Sequence, residues 1–340
     1  MKFRVDRKLI RTAAVLLTAL ALFLVGALGL FLWKEGSFPT GETDAPSHTL
    51  EDDGALLFYN GAWYAPRDDV ETVLVLGLDR SEQEEIGVSG SYAQSDLFLL
   101  LKIDRTNETY QVFQINRDTM AAIQDFDQYG RPSGTYTAQL ALAYAHAQAY
   151  TQNDRTAGMA AMDAVSGLMY GVEIDHYVTL TMDGLMVLND LAGGVTVEIR
   201  DDFSAADPAL VQGETVTLLG KHALNYVRAR MDVGEGTNLE RMERQKEYLS
   251  GLQEKLSTLA AEDDGFISAS LLELAEHMGS DCTAQKLSEL AESLREYHME
   301  SYTVLEGEAV ETEKYIEFYP DEEALQRLVI EEFYELMEEP

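Results

Sequence analysis

Cysteine is nearly absent from this chain of 340 residues: Cys282 stands alone, which excludes an internal disulfide framework and a Cys-rich zinc centre. Cations are also scarce, with 25 Lys+Arg against 60 Asp+Glu and a formal net charge of −35 at pH 7. A surface of that sign repels nucleic-acid phosphates and anionic lipid headgroups, so no nucleic acid is expected as a partner. No internal repeat recurs, and there is one long uncharged run.

That run, Thr12 to Trp33, follows Lys2, Arg4, Arg7, Lys8 and Arg11 and is closed by Lys34 and Glu35. About 20 apolar residues at ~1.5 Å rise span the ~30 Å hydrocarbon core of a bilayer. A cleaved signal peptide is the alternative, but the run exceeds an h-region and lacks a convincing small-x-small cleavage site, so it reads as an uncleaved anchor. The positive-inside rule keeps the basic flank in the cytoplasm and puts everything after Trp33 outside. Five basic residues are too few for a DNA-binding module on the inner side. The expected organisation is a cytoplasmic tail (1–11), a transmembrane helix (12–33), an extracytoplasmic stalk (34–69) and a folded domain (70–340). Pro39, Pro46 and Pro66 mark the stalk, which carries a short hairpin around "ALLFYNGAWYAP".

Beyond the stalk, "TVLVLGL" (72–78), "LFLLLKI" (97–103) and "YQVFQI" (110–115) are short apolar runs bounded by polar turns, the pattern of buried strands. "DRTNE" joins the last two as a hairpin. Helices are predicted over 138–150, 156–170, the "DGLMVLNDLA" stretch, 219–226, 238–261 and from Asp321 onward, with strands at "HYVTLTM", "VTVEI", "SYTVLEG" and "KYIEF". Strands interleaved with helices imply an α/β class: a three-layer α/β/α domain with a central mixed sheet.

Four arginines within seventeen residues, Arg228, Arg230, Arg241 and Arg244, stand out against the acidic background. Guanidinium forks match phosphate oxygens bidentately and stay charged near neutral pH, so the cluster points to an anion, phosphate above all. Residues i and i+2 share a side only in an extended chain, so Arg228 and Arg230 face one ligand if the helix ends near Tyr226. In the next helix Met242, Leu249, Leu252, Leu256 and Leu259 form an apolar stripe that includes Gln245. Arg241 lies one turn earlier, so Arg241 and Gln245 project inward and Arg244 turns outward; a salt-bridged helix surface with Glu240, Glu243 and Glu247 is the alternative. Asp79 and Arg80 end one strand, and Ser95 and Asp96 begin the next. The two carboxylates either share a hard cation such as magnesium or serve as turn and cap residues. Arg117 and Asp118, at another strand end, are either a local ion pair or part of the same site.

The segments "VLVLGLDRS", "QSDLFLLLKID", "INRDT", "LALAYAHA", "DHYVTLTMDGLMVLNDLAGGVTVEI", "LLGKHALNYVRAR" and "NLERMERQ" resemble, in order and spacing, the LytR-CpsA-Psr family. The resemblance runs from about Thr72 to Leu252, and "LAGGV" with "ALNYVRAR" is its most specific part. It implies a single-pass membrane protein, mainly of Gram-positive bacteria. Such a protein moves a glycopolymer (wall teichoic acid or capsular polysaccharide) from undecaprenyl pyrophosphate to peptidoglycan, assisted by Mg2+. It further implies Asp79 and Asp96 as metal ligands. Arg80, Arg117, Arg228, Arg230, Arg241 and Gln245 would bind the pyrophosphate, Asp118 would be a base or an orienter, and helices containing Leu140, Leu142, Tyr144, Met159 and Met162 would wall the polyprenyl pocket. Where the family usually has Arg, Lys and Asn, this chain has Gln94, Gln139 and Ala141; Asn116 replaces a common Pro and Asn238 a common Asp. A noncatalytic envelope protein that binds polyprenyl phosphate, and a polyprenyl pyrophosphate phosphatase, are the alternative functions.

Overall fold

A computed structural model describes residues 51–52, 56–79, 93–230, 233–263, 266, 270, 273–313 and 315–337. The expected tail and membrane helix, most of the stalk and Arg80 lie outside them. Among the described residues no helix is long and apolar enough to cross a membrane.

The chain enters through three short strands, β1 (Glu51–Asp52), β2 (Leu57–Tyr59) and β3 (Ala62–Pro66). Asn60 and Gly61, both at positive φ, make the two-residue turn between β2 and β3 whose twist suits a hairpin. Next come β4 (Val70–Asp79), β5 (Gln94–Asp104) and β6 (Thr109–Ile115), then a hairpin of β7 (Met120–Phe126) and β8 (Pro132–Gln139). Helices α1 (Leu142–Thr151) and α2 (Asp154–Leu168) lead to β9 (His176–Thr181), α3 (Met182–Leu191), β10 (Val195–Glu198) and β11 (Thr215–Leu218). There follow α4 (Lys221–Arg228), α5 (Asn238–Glu262), β12 (Met278–Ser280), α6 (Ala284–Glu296) and β13 (His298–Val304). A second hairpin of β14 (Gly307–Glu311) and β15 (Ile316–Pro320), then α7 (Glu322–Phe333) and β16 (Tyr334–Leu336), complete the chain.

Six strands form the central sheet in the order β12-β9-β4-β5-β6-β13. β9 with β4 and β6 with β13 are parallel and the other neighbours antiparallel, so the sheet is mixed. Side chains alternate across it. Val73, Val75, Leu99 and Leu101 pack against Leu188 of α3, Tyr226 of α4 and Leu249, Leu252 and Leu256 of α5. Leu74, Leu76, Phe98 and Leu100 pack against Tyr144 of α1, Ala161 and Val165 of α2 and Val329 and Phe333 of α7. Burial on both faces is why β4 and β5 read as continuous apolar runs. Lys102 interrupts the apolar run 97–103 of β5; its amine reaches Gln111 Oε1 at 2.8 Å and Glu332 of α7 at 2.6 Å.

Two predicted helix boundaries move. Ala138 and Gln139 lie in β8, because Ala121 and Met120 of β7 pair with them; hairpin pairing overrides the helical preference of the alanines, and α1 starts at Leu142. The helix expected to end near Tyr226 runs on to Arg228, held down by buried Tyr226 and Val227, before Ala229 turns extended at ψ 133. The predicted hairpin at "ALLFYNGAWYAP" is β2–β3, and β16 pairs with β3, so residues 57–66 are built into the folded unit.

Candidate active site

The candidate site lies at one end of the interior strands of the sheet, where the end of β4, the start of β5 and the end of β6 meet the end of α4 and the first turns of α5. Local sequence sets each approach. Along the β4–β5 ladder Gly77 pairs with Leu97 but Leu78 pairs with Ser95, so Asp96 is an extra, unpaired residue in β5. Such bulges re-aim side chains, and this one turns buried Asp96 toward Arg117, whose Nη1 donates to Asp96 Oδ1. A Cβ at Gly77 would meet Leu97 Cβ at 2.9 Å, so glycine lets the strands close at the bulge.

Buried Asn189 ties the "LAGGV" segment to β11 and α5. Its amide donates to Leu218 O at 3.0 Å, while its Oδ1 accepts from Val195 N at 3.2 Å and Tyr248 OH at 2.9 Å. Next to it, Asp190 Oδ1 accepts from Gly220 N at 2.7 Å, at the start of α4. Gly194, at φ +80, has Leu218 O 2.4 Å from where a Cβ would stand, so no larger residue fits that crossing. These contacts fix α4, and hence the segment from Arg228 to Arg230, on α3 and α5.

Arg228 and Arg230 leave that segment for different acids. Arg228 Nη2 lies 2.8 Å from Asp79 Oδ2 and 2.6 Å from Oδ1. Arg230 Nη2 lies 3.0 Å from Asp118 Oδ2 without hydrogen-bond alignment, so that contact is an ion pair and the oxygen is unsatisfied. Arg241 projects inward, 4 % exposed, with Nη2 on Asn238 Oδ1 and Nη1 3.9 Å from Asp96 Oδ2. Gln245 is buried too. Its Nε2 donates to Val227 O at 3.3 Å, and its Oε1 is 3.5 Å from the amide of Gln114, whose own Oε1 accepts from Tyr302 OH at 2.6 Å. Arg244 does not turn outward as expected: it is 7 % exposed, donates to Ala229 O and lies over the Phe203 ring at 5.6 Å. The physical reason is the extended backbone at Ala229, whose carbonyl α4 leaves without an intrahelical donor.

The residues that depart from the family pattern form a neutral lattice in this site. Gln94 Oε1 accepts from Arg117 Nη2, and Gln139 Nε2 donates to Asp118 Oδ1 at 3.1 Å and Ile316 O at 2.8 Å. Asn116 Oδ1 accepts from Asp118 N at 2.9 Å and Asn238 Nδ2 at 2.5 Å. Ala141 bonds through its backbone to Arg117 O at 3.0 Å and Ser95 N at 3.2 Å. The neutral residues at 94, 116, 139 and 238 were legible as departures; that they bond to one another and to the charged residues was not.

Four guanidiniums therefore meet three carboxylates. Burial, then repulsion from Arg241, pushes Arg117 down to about 10; burial, then repulsion from Arg230, does the same to Arg241. Arg117 Nε, Arg230 Nε, Arg241 Nε and Ser95 Oγ are buried without a hydrogen-bond partner. Orphaned donors beside mutually repelling cations suit a multivalent anion, which would relieve both costs. Asp79 and Asp96 supply the hard oxygen donors that magnesium takes, two positions apart across the β4–β5 ladder, since Asp79 pairs with Gln94. A different triad among the described residues, His176, Asp281 and Cys282, brings its ligand atoms within 4.8 Å of one another, but by the far end of β4, where His176 pairs with Val73.

Two cavities with no lining residue in common border the site. An apolar one of about 60 Å³, on the α3–α5 side of the sheet, is lined by Leu97, Leu180, Leu185, Leu188, Tyr248 and Leu249 and ends at Val227 and Gln245. The residues expected to wall a lipid pocket lie on the other side: Leu140 and Tyr144 are core, Leu142 and Met162 pack at its margin and Met159 is 51 % exposed. The second cavity, a polar cleft of about 360 Å³, runs from Arg117, Asp118 and Arg230 to the β14–β15 hairpin.

Comparison with known proteins agrees with this architecture. Protein gbs0355 from Streptococcus agalactiae shares the fold at a TM-score of 0.61 and 23% identity, over 78% of this chain and 88% of that one. Biofilm regulatory protein A of Streptococcus mutans is 28% identical over 72% of this chain, which spans 57% of that protein's length. The polyisoprenyl-teichoic acid–peptidoglycan teichoic acid transferase TagU of Halalkalibacterium halodurans is 25% identical over 72% of this chain and 71% of its own. The model of the LytR_cpsA_psr family matches residues 43–331, and the chain belongs to that family.

Proposed function

We propose that this protein is a membrane-anchored phosphotransferase that moves a glycopolymer from a polyprenyl pyrophosphate carrier to peptidoglycan. The observation that carries the reading is the set of buried, unpartnered guanidinium donors of Arg117, Arg230 and Arg241, in a chain of net charge −35. Supporting it, the relative TagU is named as a transferase of teichoic acid to peptidoglycan. The uncharged run 12–33 would hold the domain on the outer face of the membrane, where both the lipid-linked donor and the acceptor are found.

Arg117, Arg228, Arg230 and Arg241 grip the pyrophosphate oxygens, and Gln245 holds the end of α4 at the boundary between these cations and the apolar cavity. The polyprenyl chain leaves through that cavity, whose α3 and α5 side chains must part to admit it, since ~60 Å³ is less than the chain needs. Asp79 and Asp96 would hold Mg2+, which supplies charge neutralisation for the phosphates. A sugar hydroxyl attacks the phosphorus that carries the glycopolymer. The new P–O bond forms, the bond from that phosphorus to the bridging oxygen breaks with its electron pair going to polyprenyl phosphate, and Asp118 takes the hydroxyl proton. Catalysis is by positioning and charge stabilisation, as phosphoryl transfer requires.

The test uses the full chain in lipid nanodiscs, a polyprenyl pyrophosphate-linked oligosaccharide, peptidoglycan strands and limiting magnesium. Asp79→Ala and Asp96→Ala should each abolish metal-dependent transfer while leaving the thermal transition in place. Full activity in both variants would overturn the metal assignment. Release of the sugar phosphate to water alone would make the protein a phosphatase, and tight donor binding without turnover would make it a lipid-binding envelope protein.

A further inference from the structure

We infer that the polar cleft beside Asp118 is the acceptor subsite and takes a neutral hexosamine unit of the glycan strand, with Tyr315 as its platform. The inference rests on the transferase reading and deepens it. In phosphoryl transfer the attacking and leaving oxygens lie roughly in line across phosphorus. The leaving polyprenyl phosphate belongs to the apolar cavity, which meets the site at Val227 and Gln245 on the α3–α5 side. Attack therefore comes from elsewhere around the phosphates. The polar cleft has no lining residue in common with the apolar one, and it opens on Arg117, Asp118 and Arg230.

The far wall of the cleft is chemically specific. Glu311, Thr312, Glu313 and Tyr315 come from the β14–β15 hairpin. Tyr315 is 47 % exposed, an aromatic face open to the C–H surface of a sugar ring. The carboxylates of Glu311 and Glu313 offer hydrogen-bond acceptors, so they suit hydroxyl and amide donors and disfavour a second anion such as a teichoic acid chain. That bias favours the acceptor over the donor's own polymer.

The hairpin is fixed to the reacting groups. Phe318 N donates to Asp118 O at 2.9 Å, Thr119 and Phe318 form an isolated parallel bridge, and Gln139 links Ile316 O to Asp118 Oδ1. The turn is closed by Thr312 Oγ1 donating to Tyr315 O at 2.6 Å. A sugar held on Tyr315 is thus registered against the carboxylate that receives its proton.

The experiment measures transfer by the full chain in nanodiscs with donor and acceptor varied separately, and binding of a β-1,4-linked N-acetylglucosamine tetrasaccharide by saturation-transfer NMR. Tyr315→Ala should raise the acceptor KM about tenfold, leave the donor KM within about twofold and remove the tetrasaccharide signal. Tyr315→Phe, which keeps the ring, should restore acceptor KM. A rise in donor KM instead would assign the cleft to the donor glycan and overturn the proposal, as would unchanged values for both substrates. If the wild type transfers nothing yet binds the tetrasaccharide through Tyr315, the cleft stands as a hexosamine-binding site, while the transferase reading and with it the acceptor role fall.

Discussion

At the scale of single residues the site works by geometry as much as by charge. Arg230 is mostly buried and stands beside Asp118 in the wall of the cleft. A charge-assisted contact to a desolvated phosphate is worth roughly 1.5–3 kcal/mol, and a lysine loses the bidentate fork, so Arg230→Lys should cost about 10- to 100-fold in kcat/KM. Arg244→Lys should also matter, because it strips a buried donor from Ala229 O and about 1–3 kcal/mol of stability with it. Chemical denaturation of that variant would show the loss; an unchanged midpoint would return Arg244 to the surface role first expected of it. Arg117 and Arg241, both pushed down to about 10, give the site a pH signature. Their folded pKa values lie below the ordinary arginine value, so the charged forms cost stability at every pH below about 10, and that cost is relieved above it. A bound anion favours the charged forms, so inorganic pyrophosphate affinity by calorimetry should fall beyond about pH 10.

Among the elements, α5 contributes most to the site. Thr237 caps its N-terminus by accepting from Glu240 N at 3.2 Å, and Asn238, Arg241 and Gln245 follow on one face at helical spacing. The strand ends on the opposite side carry the neutral substitutions: Gln94 opens β5 and Gln139 closes β8. Both touch charged site residues, so Gln94→Arg with Gln139→Lys should tighten binding of inorganic pyrophosphate by adding two cations around it. Weaker binding would mean that the amides are needed more for aligning Arg117 and Asp118 than the site needs charge.

For the whole molecule, the decisive expectation is topology. Protease added to intact, wall-stripped cells should degrade the domain after Trp33 and spare the first residues; complete protection would place the domain on the inner side. Closure of the fold at β16, which pairs with β3, brings the two ends of the folded unit together. The apolar cavity, with Gln245 in its lining, and the polar cleft, lined by Arg117 and Arg230, share no residue.

The sequence by itself determined the strands β4, β5 and β6 and the helix after Thr237 with Arg241 and Gln245 turned inward, whereas the meeting of the strand-end acids with the arginines was implied only by the family resemblance. Each is written in a local period or a charge contrast that survives without neighbours. Tertiary structure alone decided the rest. The bulge at Asp96 depends on how β4 and β5 register, and the strand at Ala138 and Gln139 depends on pairing with β7. Arg244 is inward because Ala229 O needs a donor there, and the apolar cavity of about 60 Å³ lies on the α3–α5 side of the sheet rather than against α1 because only packing leaves a void. Register, pairing and voids are properties of two surfaces meeting, and one strand of text carries only one surface at a time.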